Sequence, residues 1–231
     1  MAVGRPAAPP SDPAVPRLEP GDHLDQKTFH ERYEAMPEGF RAELVEGVVV
    51  VPSPPGVPHG RPHALLMGRL VHYQAATPGT TALDNPTVIL GPESEPQPDG
   101  VLLVEPEWGG RTRMEGIYLA GPPELVAEVA SSSQAYDLHG KYRDYERAGV
   151  PEYLVVVVRD RQVAWFARHA DRFRPLGPGP DGLLRSEAFP GLWLDPDALL
   201  RGDIAAVLAA LDRGLASPEH AAWVERPRPA G

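Results

Sequence analysis

The chain has 231 residues, 42% of them hydrophobic, which is enough for one domain with a full core and too few for more than two small ones. It contains no cysteine, which excludes a disulfide framework and a thiolate metal site; any metal must be held by carboxylate, imidazole, carbonyl or water, a set that suits Mg²⁺ or Mn²⁺. A formal charge of −10 argues against a general nucleic-acid binder, and no apolar run approaches the roughly 18 residues of a membrane span.

Residues 1–22 are rich in Pro and Ala without periodicity and are expected to form a disordered tail. They lack the apolar segment of a signal peptide, so a cytoplasmic location is expected. Lys27 to Met36 predicts a short amphipathic helix, with Phe29 and Tyr33 on one face. Two apolar runs around Glu46-Gly47 predict a hairpin, because Gly takes the positive φ that such a turn requires. SPPGVP (53–58) reads as a loop, and Leu65, Leu66, Leu70 and Tyr73 recur at helical spacing over about 61–76. Short strands follow at 80–83, 86–90, 100–104 and 124–129, with Pro or Gly between them. Tyr136 to Ala148 predicts a helix, with Asp137 near its start and Gly149 as its stop. EYLVVVV (152–158) is apolar throughout and is expected to be a central strand covered on both faces. QVAWFAR (162–168) should pair back on it, and DRFRPL and GLLRS should extend the meander. Asp197 to Leu215 predicts a helix with Ile204, Val207, Leu208 and Leu211 on its apolar face, and residues 216–231 a flexible tail. The fold class expected is α/β (α+β), a mixed central sheet flanked by helices with an N-terminal hairpin, as a single domain over 23–215.

Three ionisable residues stand out in order: Asp99 in PQPDGVLLV, Glu128 in PPELVAEVAS and Lys141 in YDLHGKYRDY. Charged side chains beside or inside β-branched runs are rare unless something pairs with them. Two carboxylates on neighbouring strands can share a divalent cation, while a lysine nearby stabilises charge on a phosphate. The combination points to metal-assisted hydrolysis of a phosphodiester. The residues alone also allow a turn at Asp99, a surface ion pair at Glu128, and a helix lysine paired with Asp137 or Asp144. Arginines cluster at 111/113, 143/147, 159/161 and 168/172/174, either as a basic face or as solvated faces balancing nearby acids. His59 and His63 form H-x3-H, but Pro62 between them argues that the helix begins there. With no third ligand evident, zinc is discounted. Ser131-Ser132-Ser133 lacks the G-x-S-x-G frame of a nucleophile.

From about Arg41 to Phe173 the chain resembles the Uma-two family, a branch of the PD-(D/E)xK nuclease superfamily. The pieces that carry the resemblance are ELVEG (43–47), SPPGVPH (53–59), PQPD (96–99), PELVAEVASSS (123–133), YDLHGK (136–141) and YERAGVPEYLVV (145–156). The resemblance implies a restriction-endonuclease-like fold and a DNA endonuclease dependent on Mg²⁺ or Mn²⁺. It implies Asp99 and Glu128 as metal ligands, with the backbone carbonyl of Val129, and Glu43 as a further acid in the metal shell. Lys141 would act as the electrostatic stabiliser from the following helix, because Ala130 occupies the usual lysine position two residues after the acid. His59 would contact phosphate or shape the site. DNA is the implied partner, and a homodimer is a further expectation, with Leu208 and Leu215 as its surface. The competing functions are a nuclease-fold protein that binds nucleic acid without cutting it, and a hydrolase of small phosphoesters.

Overall fold

The structure, a computed structural model, describes residues 15–131 and 139–228. Its first half contains α1 (Gln26–Glu34), β1 (Glu43–Val45), β2 (Val48–Val50), α2 (Val57–Ala76), β3 (Thr80–Asp84), β4 (Val88–Ile89), β5 (Gly100–Val104), β6 (Arg113–Glu115), β7 (Tyr118–Ala120) and β8 (Leu125–Ala130). The second half adds α3 (Lys141–Ala148), β9 (Glu152–Val157), β10 (Gln162–His169), β11 (Arg172–Pro175), β12 (Leu184–Arg185) and β13 (Trp193–Leu194). Three helices close it: α4 (Pro196–Arg201), α5 (Ile204–Leu215) and α6 (Pro218–Val224).

A six-stranded sheet of order β11-β10-β9-β8-β5-β3 organises the molecule. Its β5, β8 and β9 are buried at every position, as runs that are apolar apart from Glu128 and Glu152 require of strands covered on both faces. Alternate residues divide between two cores. Leu102, Leu125, Ala127, Leu154 and Val156 pack with Leu66, Leu70 and Tyr73 of α2 and with Val207 and Leu211 of α5. Val101, Leu103, Val126, Tyr153 and Val155 pack on the other face with Tyr145 of α3. Every neighbouring pair is antiparallel except β8–β9. A parallel pair needs a crossover, and α3 lies in it. The mixed sheet flanked by helices is the expected class.

The hairpin β1–β2 turns at Glu46 (φ 51) and Gly47 (φ 76), two successive positive φ values that make the type I′ geometry of tight hairpins. This turn is fastened to α3. The Glu46 amide donates to Asp144 Oδ2 at 2.9 Å, and Arg143 Nε donates to Glu46 Oε1 at 2.7 Å.

Several expectations shift. Leu18 is buried with Phe29, Leu44 and Val49, and the Gly21 amide donates to the Val49 carbonyl, so the expected tail ends sooner. One apolar anchor among prolines is enough to hold the backbone down; residues 1–14 lie outside the described residues. Residues 218–224, expected within the flexible C-terminal tail, form α6, capped by Ser217 with Pro218 behind it, a common start signal. Its buried His220 bonds Thr77 Oγ1 at 2.9 Å. The segment GLLRS leaves the meander, because β12 pairs with β13. The strand around Val88 belongs to a separate sheet of order β4-β7-β6. Leu208 and Leu215 are half-buried, and Leu215 packs on the main core. No helix among the described residues is long and apolar enough to cross a membrane.

Candidate functional site

The site forms where two central strands part. β5 and β8 are paired only from Leu102↔Leu125 to Gly100↔Ala127, whereas β8 continues to Ala130 against β9. Past Gly100 the β8 backbone therefore loses its partner on that side, and the Asp99 side chain replaces it. Asp99 Oδ2 accepts the Val129 amide hydrogen at 2.7 Å, while the Asp99 amide nitrogen lies 3.4 Å from Glu128 Oε2. Glu128 stands between Val126 and Ala130, so it projects from the face that carries α3.

Lys141 is the first residue of α3. Its Nζ lies 2.9 Å from Glu128 Oε1 and 2.9 Å from Glu43 Oε1. Tyr145, one turn along the same helix face, donates to Glu128 Oε1 at 2.8 Å. Glu43 reaches the ammonium because the hairpin is fastened to α3, and it also accepts the Gln97 amide hydrogen at 2.6 Å. Glu43, Glu128, Lys141 and Tyr145 are all buried. Burial, then the Glu128 charge beside it, pushes the Tyr145 phenol well above its ordinary range, so it stays protonated and donates.

A third element arrives from α2. Its buried stripe of Leu66, Leu70 and Tyr73 continues backwards at the same spacing through His63 and His59. His59 Nε2 lies 3.1 Å from Asp99 Oδ2, and His63 Nε2 lies 3.0 Å from the Asp99 carbonyl and 2.9 Å from Asp84 Oδ1. The helix does not begin at Pro62. It begins at Val57, with Pro62 inside it, where the missing N–H forgoes only a bond to the Pro58 carbonyl at the helix mouth. Burial is the largest influence on Asp99 and acts to raise its pKa. The His59 hydrogen bond and charge, the Val129 amide and the Lys141 charge together outweigh it, holding the carboxyl below its ordinary value. Asp99 is therefore an anion at neutral pH.

These residues line one cleft of about 1150 Å³, whose walls include Phe40, Val51 and Pro54 and whose basic residues include Arg41 and Arg159. Asp99, Glu128, Glu43, Lys141 and His59, the five residues singled out in the sequence, all line it. Carboxylates beside imidazole nitrogens are a donor set that fits a divalent cation, and His59, His63 and Asp99 place one donor atom each within 4.8 Å of one another. The Val129 amide, rather than its carbonyl, is the backbone group that meets Asp99. Of the two readings of the arginine clusters, several pairs match faces balancing nearby acids: Arg143 and Arg147 meet Glu46, Arg168 meets Asp171 and Arg172 meets Glu146.

A family model described as "Putative restriction endonuclease", Uma2, matches residues 28–197. The chain belongs to the Uma2 family. A crystal structure of a "putative nuclease" of the DUF820 group from Anabaena variabilis superposes with a TM-score of 0.59 at 14% identity, covering 74% of this chain and 97% of that one. At that identity the likeness concerns the fold, and it agrees with the restriction-endonuclease-like class. No curated protein matches the chain. Membership of Uma2 supports a nuclease function.

Sequence reasoning set His63 aside and missed two other participants, Tyr145 and Gln97, in this Uma2 site. His63 was legible as the i+4 partner of His59 once the helix is allowed to run through Pro62. Tyr145 was legible as the i+4 partner of Lys141. Gln97 acts through its amide, which no side-chain pattern reports. Ser132, Ser133 and Asp137 lie outside the described residues.

Proposed function

We propose that this Uma2 protein is a divalent-metal-dependent endonuclease that hydrolyses phosphodiester bonds in DNA. The observation that carries the reading is the convergence of Asp99, Glu128 and Lys141, from two strands and a helix, at the fork of the central sheet. Asp99 and Glu128 would hold Mg²⁺ or Mn²⁺, which when bound neutralises phosphate charge and lowers the pKa of water. Asp99 offers an ionised carboxylate, kept in place by the Val129 amide and His59. Lys141 supplies a compact positive charge for the phosphate oxygens, its ammonium fixed between Glu43 and Glu128. Tyr145 is a positioning residue, since its hydroxyl hydrogen bonds Glu128 from within the core.

Purified protein is expected to nick supercoiled plasmid with Mg²⁺ or Mn²⁺, and Asp99→Ala to abolish nicking. Cleavage that survives both EDTA and Asp99→Ala would overturn the mechanism. DNA binding without cleavage under any metal would instead favour a nuclease fold used for binding.

A further inference from the structure

The pattern Pro58-His59-Gly60-Arg61-Pro62-His63 is more than the proposed nuclease site requires. Magnesium prefers oxygen donors and keeps several waters, so two imidazoles beside Asp99 add nothing to a Mg²⁺ site. Imidazole suits zinc, copper, iron and nickel instead, and by the same affinity order cobalt. We propose that His59, His63 and Asp99 form a three-donor site for a transition-metal dication, open on its cleft side.

Three observations converge. One ring nitrogen each of His59 and His63 and an Asp99 carboxylate oxygen lie within 4.8 Å of one another. Donors around one tetrahedral ion at 2.0–2.1 Å stand about 3.4 Å apart. His59 and Asp99 are already at 3.1 Å, and a side-chain rotation that moves His63 off Asp84 brings in the third donor. The backbone is also prepared for this. The two histidines are four apart on one helix face, and each follows a proline whose fixed φ removes freedom from the unfolded segment. Finally, the three side chains are mostly but not wholly buried, at 15%, 19% and 13% exposure. A position therefore remains open to the cleft, as in sites that keep a coordination place for water or substrate. Asp84, against His63, adds negative charge at the mouth.

The inference rests on the reading of Asp99 as a metal ligand, and it needs no cleavage. The test is calorimetric and spectroscopic. Tag-free full-length protein, stripped with chelator, is titrated separately with Co²⁺, Zn²⁺ and Mg²⁺, and the visible d–d bands of Co²⁺ are followed. One equivalent of Co²⁺ or Zn²⁺ is expected to bind at least tenfold more tightly than Mg²⁺. His59→Ala and His63→Ala should each weaken Co²⁺ binding by a further 10- to 100-fold or more, the range typical of disturbing even outer-shell partners. His63→Gln keeps an N–H donor for Asp84 and the Asp99 carbonyl but removes the imidazole; it should fold as the wild type does and still lose Co²⁺ affinity. Equal affinities for Co²⁺ and Mg²⁺, or His63→Gln with unchanged Co²⁺ binding, would overturn the proposal. The two readings fail separately: Mg²⁺-supported nicking with no Co²⁺ binding removes this site and leaves the nuclease, whereas histidine-dependent Co²⁺ binding without cleavage under any metal does the reverse.

Discussion

Replacing Lys141 by Met keeps most of the side-chain volume and removes the charge. The ammonium is 5% exposed and sits 2.9 Å from each of two carboxylates that are themselves buried. Breaking a buried ion pair from one side costs about 3–5 kcal/mol, because it leaves an uncompensated charge out of water. Here it leaves two, Glu43 and Glu128, facing the same vacated space. The expected loss is therefore about 3–5 kcal/mol, or about 6–20 °C in Tm at the 2–4 °C per kcal/mol usual for this chain length. Urea denaturation measures it. The partner experiment is a cycle with Glu43→Gln: the double variant should recover about 1–3 kcal/mol relative to additivity, since one of the opposed charges is gone. Where nicking is seen, the same Lys141→Met should slow it by about 10²–10³-fold. A Lys141→Met protein within about 0.5 kcal/mol of the wild type, well below the cost of an orphaned buried charge, would refute the argument that this ammonium holds the two acids together.

Glu95 is fully buried, accepting from Gln26 Nε2 at 2.8 Å and bonded to His30 Nδ1 at 2.9 Å, and burial raises its pKa above the ordinary carboxylate value. A carboxyl raised on folding favours the native state below its unfolded pKa and loses that contribution as pH rises through the folded value, so Glu95→Gln should gain relative to the wild type from about pH 4 to 7 in urea midpoints; a constant difference across that range would contradict this. Glu152 accepts from the Glu187 and Ala188 amides, Trp165 Nε1 and Ser186 Oγ, so Glu152→Gln sets an amide donor against donors and should cost about 1–3 kcal/mol by chemical denaturation. Gly214→Ala would ordinarily stabilise a helix by up to about 1 kcal/mol. A Cβ there would stand 2.1 Å from the Gly191 carbonyl oxygen, so a net loss of about 1–3 kcal/mol is expected instead, and a raised Tm would show that the α5–β13 contact yields freely.

What the sequence disclosed follows from what local pattern can report. The strands at 100–104, 124–129 and 152–158 were legible because burial on both faces leaves runs that are apolar apart from Glu124, Glu128 and Glu152. The end of α3 was legible because Gly149, at φ 81, takes the left-handed conformation that stops a helix. Asp99 and Glu128 were legible as charges beside or inside apolar runs, and Lys141 through the family resemblance. Other features were hidden because long-range contacts decide them. The exposed strand β6 has no apolar alternation to reveal it, and β7 is set by pairing with the distant β4. The start of α2 was misplaced because a rule about proline in helix interiors was applied near a helix mouth, where little is lost. A helix starting at Pro62 leaves out His59, and an i,i+4 pair with His63 exists only if the helix includes both members.

The charge of the chain can be weighed against this geometry. A net −10, with Arg143, Arg147, Arg168 and Arg172 paired with acids among the described residues, offers little general attraction to a polyanion. Over the whole cleft Arg41, Lys141 and Arg159 equal Glu43, Asp99 and Glu128 in number, whereas at the fork the carboxylates Glu43 and Glu128 gather on Lys141, with Asp99 beside them. On the proposed reading, carboxylates gathered in this way would favour a dication at the fork over a phosphate. Asp99, held ionised by its neighbours, would hold the metal with Glu128, and the charge the metal would supply favours phosphate at the fork. Lys141 cannot substitute for that charge, because its own is already divided between Glu43 and Glu128. The acidic total then ceases to argue against a nuclease, since attraction to the substrate need arise only at the fork and only once the cation is bound.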